Sequence, residues 1–208
     1  LLRSAWELGI SWWDTSNDYG THQHVRFGLQ GIDRWQLQIS TKSHAESCHA
    51  ARRDLELALA ELGVEFIDLY FLHEVDSPRE LKNRLSAYRA LKLAQAQGLV
   101  RAVGLSTHNI DTLEACLNWE EFDVIMTNFN RHEDHMDAGL QHYTAALSAH
   151  HAAGRGVTVM KAVGEGRLAA MATESIAWNL GCSFVDAVLV GMDKLAEVRQ
   201  NAALAALA

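Results

Sequence analysis

The sequence predicts an α/β fold: a (β/α)8 barrel of the TIM type, truncated to seven identifiable strands and forming a single domain over residues 1–208. Three observations carry this. Short apolar runs alternate with longer stretches of helical period along the whole chain, the pattern of repeated βα units. The runs are apolar at successive residues, so both faces of each strand are to be covered, as in a parallel sheet. No Pro/Ser/Gly-rich linker or shift of composition divides the chain.

Taken in order, Leu1 to Gly9 reads as the end of an amphipathic helix stopped by Gly9. Apolar runs follow at Ile10 to Trp13, Leu37 to Ile39, Phe66 to Leu72, Leu99 to Leu105, Phe122 to Met126, Gly156 to Met160 and Val185 to Val190. Helical stretches lie at Ser47 to Leu62, Pro78 to Gln97, Ile110 to Trp119, Gly139 to Ala153, Thr173 to Gly181 and Lys194 to the end. Leu55, Leu59 and Leu62 recur at i, i+4 and i+7, as one buried helix face requires. Pro78, the only proline, stands behind Ser77 at a helix start, where its missing N–H costs nothing. The competing architecture is an open doubly wound sheet, which usually carries a glycine-rich turn after its first strand. The one lookalike, Gly164-Glu165-Gly166-Arg167-Leu168-Ala169, comes near the end of the chain. Asp186, in the place of a ribose-binding acid, opens the next strand where it should close it.

Composition excludes several classes. With 49% hydrophobic and 21% charged residues the chain is neither disordered nor collagen-like, and at 208 residues it needs no disulfide scaffold. A formal charge of −8 argues against nucleic acid and anionic membrane surfaces as partners, though not against a small anionic cofactor held in a local pocket. The longest stretch without acidic or basic residues, Ala138 to Gly154, contains Gln141, His142, His150 and His151 and is too polar to cross a bilayer. Cys48, Cys116 and Cys182 are far apart and odd in number, with no CxxC, which predicts reduced thiols and a cytoplasmic location.

In a parallel barrel, chemistry collects at the carboxyl ends of the strands. The first run leads into Asp14-Thr15-Ser16-Asn17-Asp18-Tyr19-Gly20, the second into Ser40-Thr41-Lys42 and the third into His73. Asp14, Lys42 and His73 are 28 and 31 residues apart, about one βα unit each, which predicts one level on three neighbouring strands. A tyrosine with an ordinary pKa of about 10 is a poor acid near neutrality unless a cation stabilises its phenolate. Lys42 can supply the cation, Asp14 its counter-ion, and a neutral His73 can orient a carbonyl oxygen beside the phenol. A lone strand-end lysine or histidine is more often structural, and Asp14-Thr15 can cap a turn. Four mechanistically linked residues at successive strand ends are harder to assign to chance.

These stretches resemble the aldo/keto reductase family. The likeness rests on Leu8-Gly9-Ile10 through Asp14-Thr15 to Tyr19-Gly20, Ser40-Thr41-Lys42, Arg53-Asp54-Leu55-Glu56, and Phe66-Ile67-Asp68-Leu69-Tyr70-Phe71-Leu72-His73. It continues through Gly98 to Ser106 and Gly164 to Leu168, and closes on Gly191 and Asn201. The resemblance implies a barrel that reduces aldehydes and ketones, with Tyr19 as proton donor, Lys42 and Asp14 as its tuning pair and His73 orienting the carbonyl. It also implies that strand one, the start of its helix and the tail after the last helix lie outside these residues.

For the cofactor the resemblance implies contacts from Ser106, Thr107, Met160, Lys161, Gly164, Gly166, Gly191, Lys194 and Asn201. Several depart from the commoner family pattern: Thr107 replaces an asparagine, Met126 a glutamine and Met160 a stacking tyrosine. Gly191 and Glu197 fall where basic residues often hold the 2′-phosphate, leaving Lys194 or Arg199 to substitute. NADP(H) is nevertheless expected over NAD(H), with a small carbonyl compound as substrate. Glu74-Val75-Asp76 after His73 makes that edge acidic and disfavours anionic substrates. A non-catalytic or truncated cofactor-binding barrel with a regulatory role is the alternative. No metal site is expected: His132 and His135 flank Glu133-Asp134, and His22 and His24 bracket Gln23, without a third ligand at zinc-like spacing. His142, His150 and His151 are expected to face solvent from an outer helix.

Overall fold

The computed structural model describes residues 1–119 and 122–207, which divide into two compact units. One comprises Leu2–Glu74 and Arg79–Leu105; the other comprises Leu1, Val75–Pro78 and the chain from Ser106 onward.

The first unit holds α1 (Leu2–Glu7), β1 (Trp12–Asp14), α2 (His22–Leu29), β2 (Gln38–Ser43), α3 (Cys48–Leu62) and β3 (Ile67–Leu72). To it also belong nearly all of α4 (Pro78–Asn83), α5 (Leu85–Ala96) and β4 (Val100–Thr107) up to Leu105. The four strands are parallel neighbours in chain order, with Asp14 opposite Ser40, Lys42 opposite Phe71 and Leu72 opposite Leu105. Between them β2 and β3 bury Ile39, Ile67, Phe71 and Leu72, against which α3 lays a stripe of Ala51, Leu55, Ala58 and Leu62. That stripe steps by four, three and four residues, the helical period. Its ends are set locally. Ser47 Oγ accepts the Ala50 N–H at the start, and Gly63, at φ 68°, ends the helix in the left-handed conformation that costs glycine nothing.

Two boundaries differ from the sequence expectation for physical reasons. The second apolar run ends at Ile39, yet β2 continues through Ser40, Thr41, Lys42 and Ser43, because all four are buried with polar partners. The helical stretch from Pro78 is interrupted at Arg84, whose guanidinium is buried.

The second unit holds α6 (Ile110–Cys116), β5 (Val124–Asn128), α7 (Leu140–Ala152), β6 (Gly156–Met160), α8 (Ala172–Leu180), β7 (Ala187–Val188) and α9 (Leu195–Ala205). Its strands β5, β6 and β7 are again parallel neighbours, with Met126 opposite Thr158 and Val159 opposite Val188. Phe129 anchors the core, its ring centroid 5.3 Å from that of Trp178 and 5.8 Å from that of Phe184.

The structure corrects one histidine. His142 and His151 are exposed, but His150 is fully buried, completing the stripe Tyr143, Ala146, Leu147 and His150 on α7. The helix is rich in alanine and histidine, so hydrophobicity alone gave no face to read. Inside, His150 Nε2 lies 2.8 Å from the Leu113 carbonyl and Nδ1 lies 3.0 Å from Arg155 Nη1. Arg155 also donates to the Cys116 and Trp119 carbonyls, closing the end of α6. The three cysteines are free thiols, and among the described residues no helix is long and apolar enough to cross a membrane.

Candidate active site

The loop after β1 is tied to β2 by its backbone: Thr15 N–H donates to the Ser40 carbonyl and Asn17 N–H to the Lys42 carbonyl. This places Asp14 beside Lys42, whose buried Nζ donates to Asp14 Oδ2 at 2.6 Å and to the Thr15 carbonyl at 2.7 Å. Ser40 Oγ donates to the other carboxylate oxygen. Burial pushes the Asp14 carboxyl up from its ordinary value, while the Lys42 charge and the bonds from Lys42 and Ser40 pull it down. A buried ammonium with two oxygens in bonding range is positioned as well as neutralised.

Tyr19 folds back over this pair. Lys42 Nζ lies over its ring, 4.8 Å from the centroid. The phenol oxygen lies 3.4 Å from His73 Nε2, with the two rings edge to face. Burial, followed by the carboxylates of Asp14, Asp18 and Glu74, holds the Tyr19 hydroxyl up at about 12. The four residues expected from the sequence are thus brought together, all within one unit.

His73 is fixed from behind. Its N–H donates to the Ser43 carbonyl at 2.9 Å, and its carbonyl accepts from Arg84 Nη1 at 2.7 Å. Arg84, 1% exposed, also donates to the carbonyls of Ala45 and Ser43 and to Glu80. On the ring, Nδ1 lies 3.2 Å from Ser16 Oγ and 3.5 Å from Asp18 Oδ1. Sequence reading missed Arg84, Ser16 and Asp18. A single arginine within a helical stretch carries no signal that it turns inward, and Ser16 and Asp18 read as loop polarity.

The residues expected to hold a cofactor lie in the other unit. Ser106 and Thr107 are buried at the end of β4, with Thr107 Oγ1 accepting the Asn109 N–H at 3.0 Å and the Thr107 carbonyl accepting from Thr127 Oγ1. Met160 ends β6. Lys161 follows at φ 56° and pairs with Glu165 at 3.0 Å. Gly164 has φ 55°, and a Cβ there would collide with Asp134 Oδ2, the carboxylate that pairs with Arg167. Gly166 and Gly191 have open space where a side chain would stand. Lys194 caps α9 and pairs with Glu197, and Asn201 lies on the same helix.

The aldo/keto reductase family model matches residues 1–170. The chain belongs to the aldo/keto reductase family. A methylglyoxal reductase of Yersinia pestis is 29% identical over 119 residues, 56% of this chain and 42% of that protein. A D-threo-aldose 1-dehydrogenase of a Pseudomonas species is 26% identical over 159 residues, 61% of this chain and 48% of that protein. The chain thus spans less than half the length of these two relatives. A solved structure assigned as an aldo-keto reductase of Pseudomonas aeruginosa has a TM-score of 0.83 at 25% identity, covering 99% of this chain and 80% of that one. The fold class is therefore the (β/α)8 barrel class of aldo/keto reductases, with seven parallel strands among the described residues.

Proposed function

We propose that this chain is an oxidoreductase that reduces an aldehyde or ketone to an alcohol with hydride from NAD(P)H, and that Tyr19 is the general acid. The observation that supports the reading most strongly is the convergence of three strand ends on one phenol. Tyr19 Oη is 3.4 Å from His73 Nε2, and its ring lies over an ammonium that Asp14 holds in place.

The nicotinamide cofactor supplies the hydride when bound. The residues present fit such a group. The open space at Gly166 and Gly191 lets a phosphate approach the backbone, and Lys161 and Lys194 offer cations whose carboxylate partners are exposed (Glu165) or half-buried (Glu197). NADP(H) over NAD(H) is part of the proposal, with Lys194 or Arg199 meeting the additional phosphate.

The chain's own residues manage the proton. As the carbonyl carbon gains hydride, its oxygen becomes an alkoxide and takes the phenol proton. Against the expectation of a lowered phenol, burial and the neighbouring carboxylates hold the hydroxyl up at about 12, so it carries its proton at neutral pH and its transfer leans on the Lys42 charge as the phenolate forms. Lys42 then faces the phenolate, and the Asp14 bridge keeps it there. His73 orients the carbonyl oxygen, with Arg84 and Ser43 fixing its backbone. Asp18 and Glu74 add negative charge near the phenol, which favours uncharged or cationic carbonyl compounds over carboxylates.

One observation favours a second reading, a cofactor-binding chain without turnover: Lys161, Arg167 and Lys194 are each already paired with a carboxylate. Mixing purified protein with NADPH and an activated aldehyde, and following cofactor absorbance, separates the two. Steady oxidation supports reduction. Cofactor binding, seen in the fluorescence of the six tryptophans, without any oxidation supports the second reading.

A further inference from the structure

We propose that Asp18, His44 and His73 form a binding site for a divalent transition cation of the zinc type. The sequence gives no sign of it, because the three residues come from the loops after β1, β2 and β3, and neither histidine belongs to the closely spaced pairs that a ligand search along the chain picks out. In the structure one ligand atom from each lies within 4.8 Å of the other two.

Each imidazole lies at a metal-like distance from one of the two oxygens of the Asp18 carboxylate. His73 Nδ1 is 3.5 Å from Asp18 Oδ1, and His44 Nε2 is 3.5 Å from Asp18 Oδ2. Zinc bonds to nitrogen and oxygen of about 2.0–2.2 Å at tetrahedral angles put neighbouring donors roughly 3.3–3.5 Å apart. The remaining edge joins the two imidazoles: the His44 side chain is 47% exposed, and its ring lies 4.4 Å from that of His73, centroid to centroid. Two imidazoles and a carboxylate leave a fourth position for water or for Glu74, whose Oε2 is 3.8 Å from His44 Nε2.

The site is also partly preorganised, and preorganisation lowers the ordering cost of binding. His73 is buried and anchored through Arg84, and Ser16 Oγ donates to the Asp18 carboxylate. A cation on Nδ1 of His73 places the ring's proton on Nε2, the nitrogen that faces Tyr19. His73 is shared with the proposed reduction, but cation binding does not need that reading.

The test uses the full chain freed of metal, without cofactor or substrate. Cobalt(II) is titrated and its visible absorption recorded, then displaced with zinc in a calorimeter. One equivalent is expected, with affinity at least about tenfold weaker in His44→Ala and in Asp18→Asn. Both residues are exposed, and circular dichroism checks that each variant keeps its fold. A double His132→Ala/His135→Ala variant is expected to bind as the parent does. No stoichiometric uptake, or uptake that His44→Ala and Asp18→Asn leave unchanged, overturns the site. Turnover of NADPH in the presence of chelator is measured separately: turnover without cation uptake sinks this proposal alone, and uptake without turnover sinks only the reductase reading.

Discussion

His150 makes the stability of this chain fall with acid over a window that can be stated in advance. The imidazole is fully buried, its Nε2 hydrogen donated to the Leu113 carbonyl and its Nδ1 lone pair turned to the Arg155 guanidinium. A second proton would have to enter between Nδ1 and a cation. Burial first, and then the Arg155 charge, depress the His150 pKa to about 4, against 6.5 in an unfolded chain. The folded state therefore binds fewer protons than the unfolded one between those values. The contribution is fully kept above pH 6.5, is lost as pH falls through the window, and levels off below pH 4. At 1.36 kcal/mol per pKa unit the full loss is about 3 kcal/mol, of which about 2 kcal/mol has gone by pH 5. Denaturant unfolding followed by tryptophan fluorescence at pH 8, 7, 6 and 5 measures it, with His150→Gln as the neutral reference. Over that range the parent is expected to lose about 2 kcal/mol more than the variant. Equal slopes, or a steeper loss in the variant, would refute the reasoning.

Two further perturbations test the support around the tetrad. Lys42→Met leaves Asp14 buried with no cation and is expected to cost about 3–5 kcal/mol, with a good part recovered in the double variant with Asp14→Asn; urea midpoints read both. Arg84→Met removes the donors to the Ser43, Ala45 and His73 carbonyls and is expected to cost about 2–4 kcal/mol. Because it acts through the backbone of His73, Arg84→Met should also raise KM for the carbonyl compound, and a variant that loses stability with KM unchanged would make Arg84 purely structural.

What the sequence made legible follows the reach of local chemistry. All seven strands found among the described residues were visible because runs such as Phe66 to Leu72 are apolar on both faces, and the spacing of Asp14, Lys42 and His73 followed from one βα unit separating each from the next. β7, observed only at Ala187–Val188, is much shorter than the run Val185 to Val190, so apolarity overstated it. α2 was not foreseen, since His22, Gln23, His24 and Arg26 disguise a helix whose buried residues are His22 and Val25. His22 is inside because Nδ1 and Nε2 are met by Glu61 and Thr41, partners far away in sequence. The same limit hid Arg84, the burial of His150 and the proximity of Asp18, His44 and His73. Each depends on which carbonyl or side chain a distant segment brings near, and periodicity carries no information about that. That Asp14, Tyr19, Lys42 and His73 come together was readable from the strand-end spacing, while the placing of the Lys42 ammonium over the Tyr19 ring was not.

The central claim is that the Tyr19 phenol delivers the proton. Single-turnover oxidation of NADPH by an activated aldehyde, with parent and Tyr19→Phe compared at equal cofactor saturation, tests it most directly. The account predicts a loss of at least about 100-fold in rate with the Kd for NADPH unchanged. A Tyr19→Phe protein that oxidises NADPH as fast as the parent would contradict it.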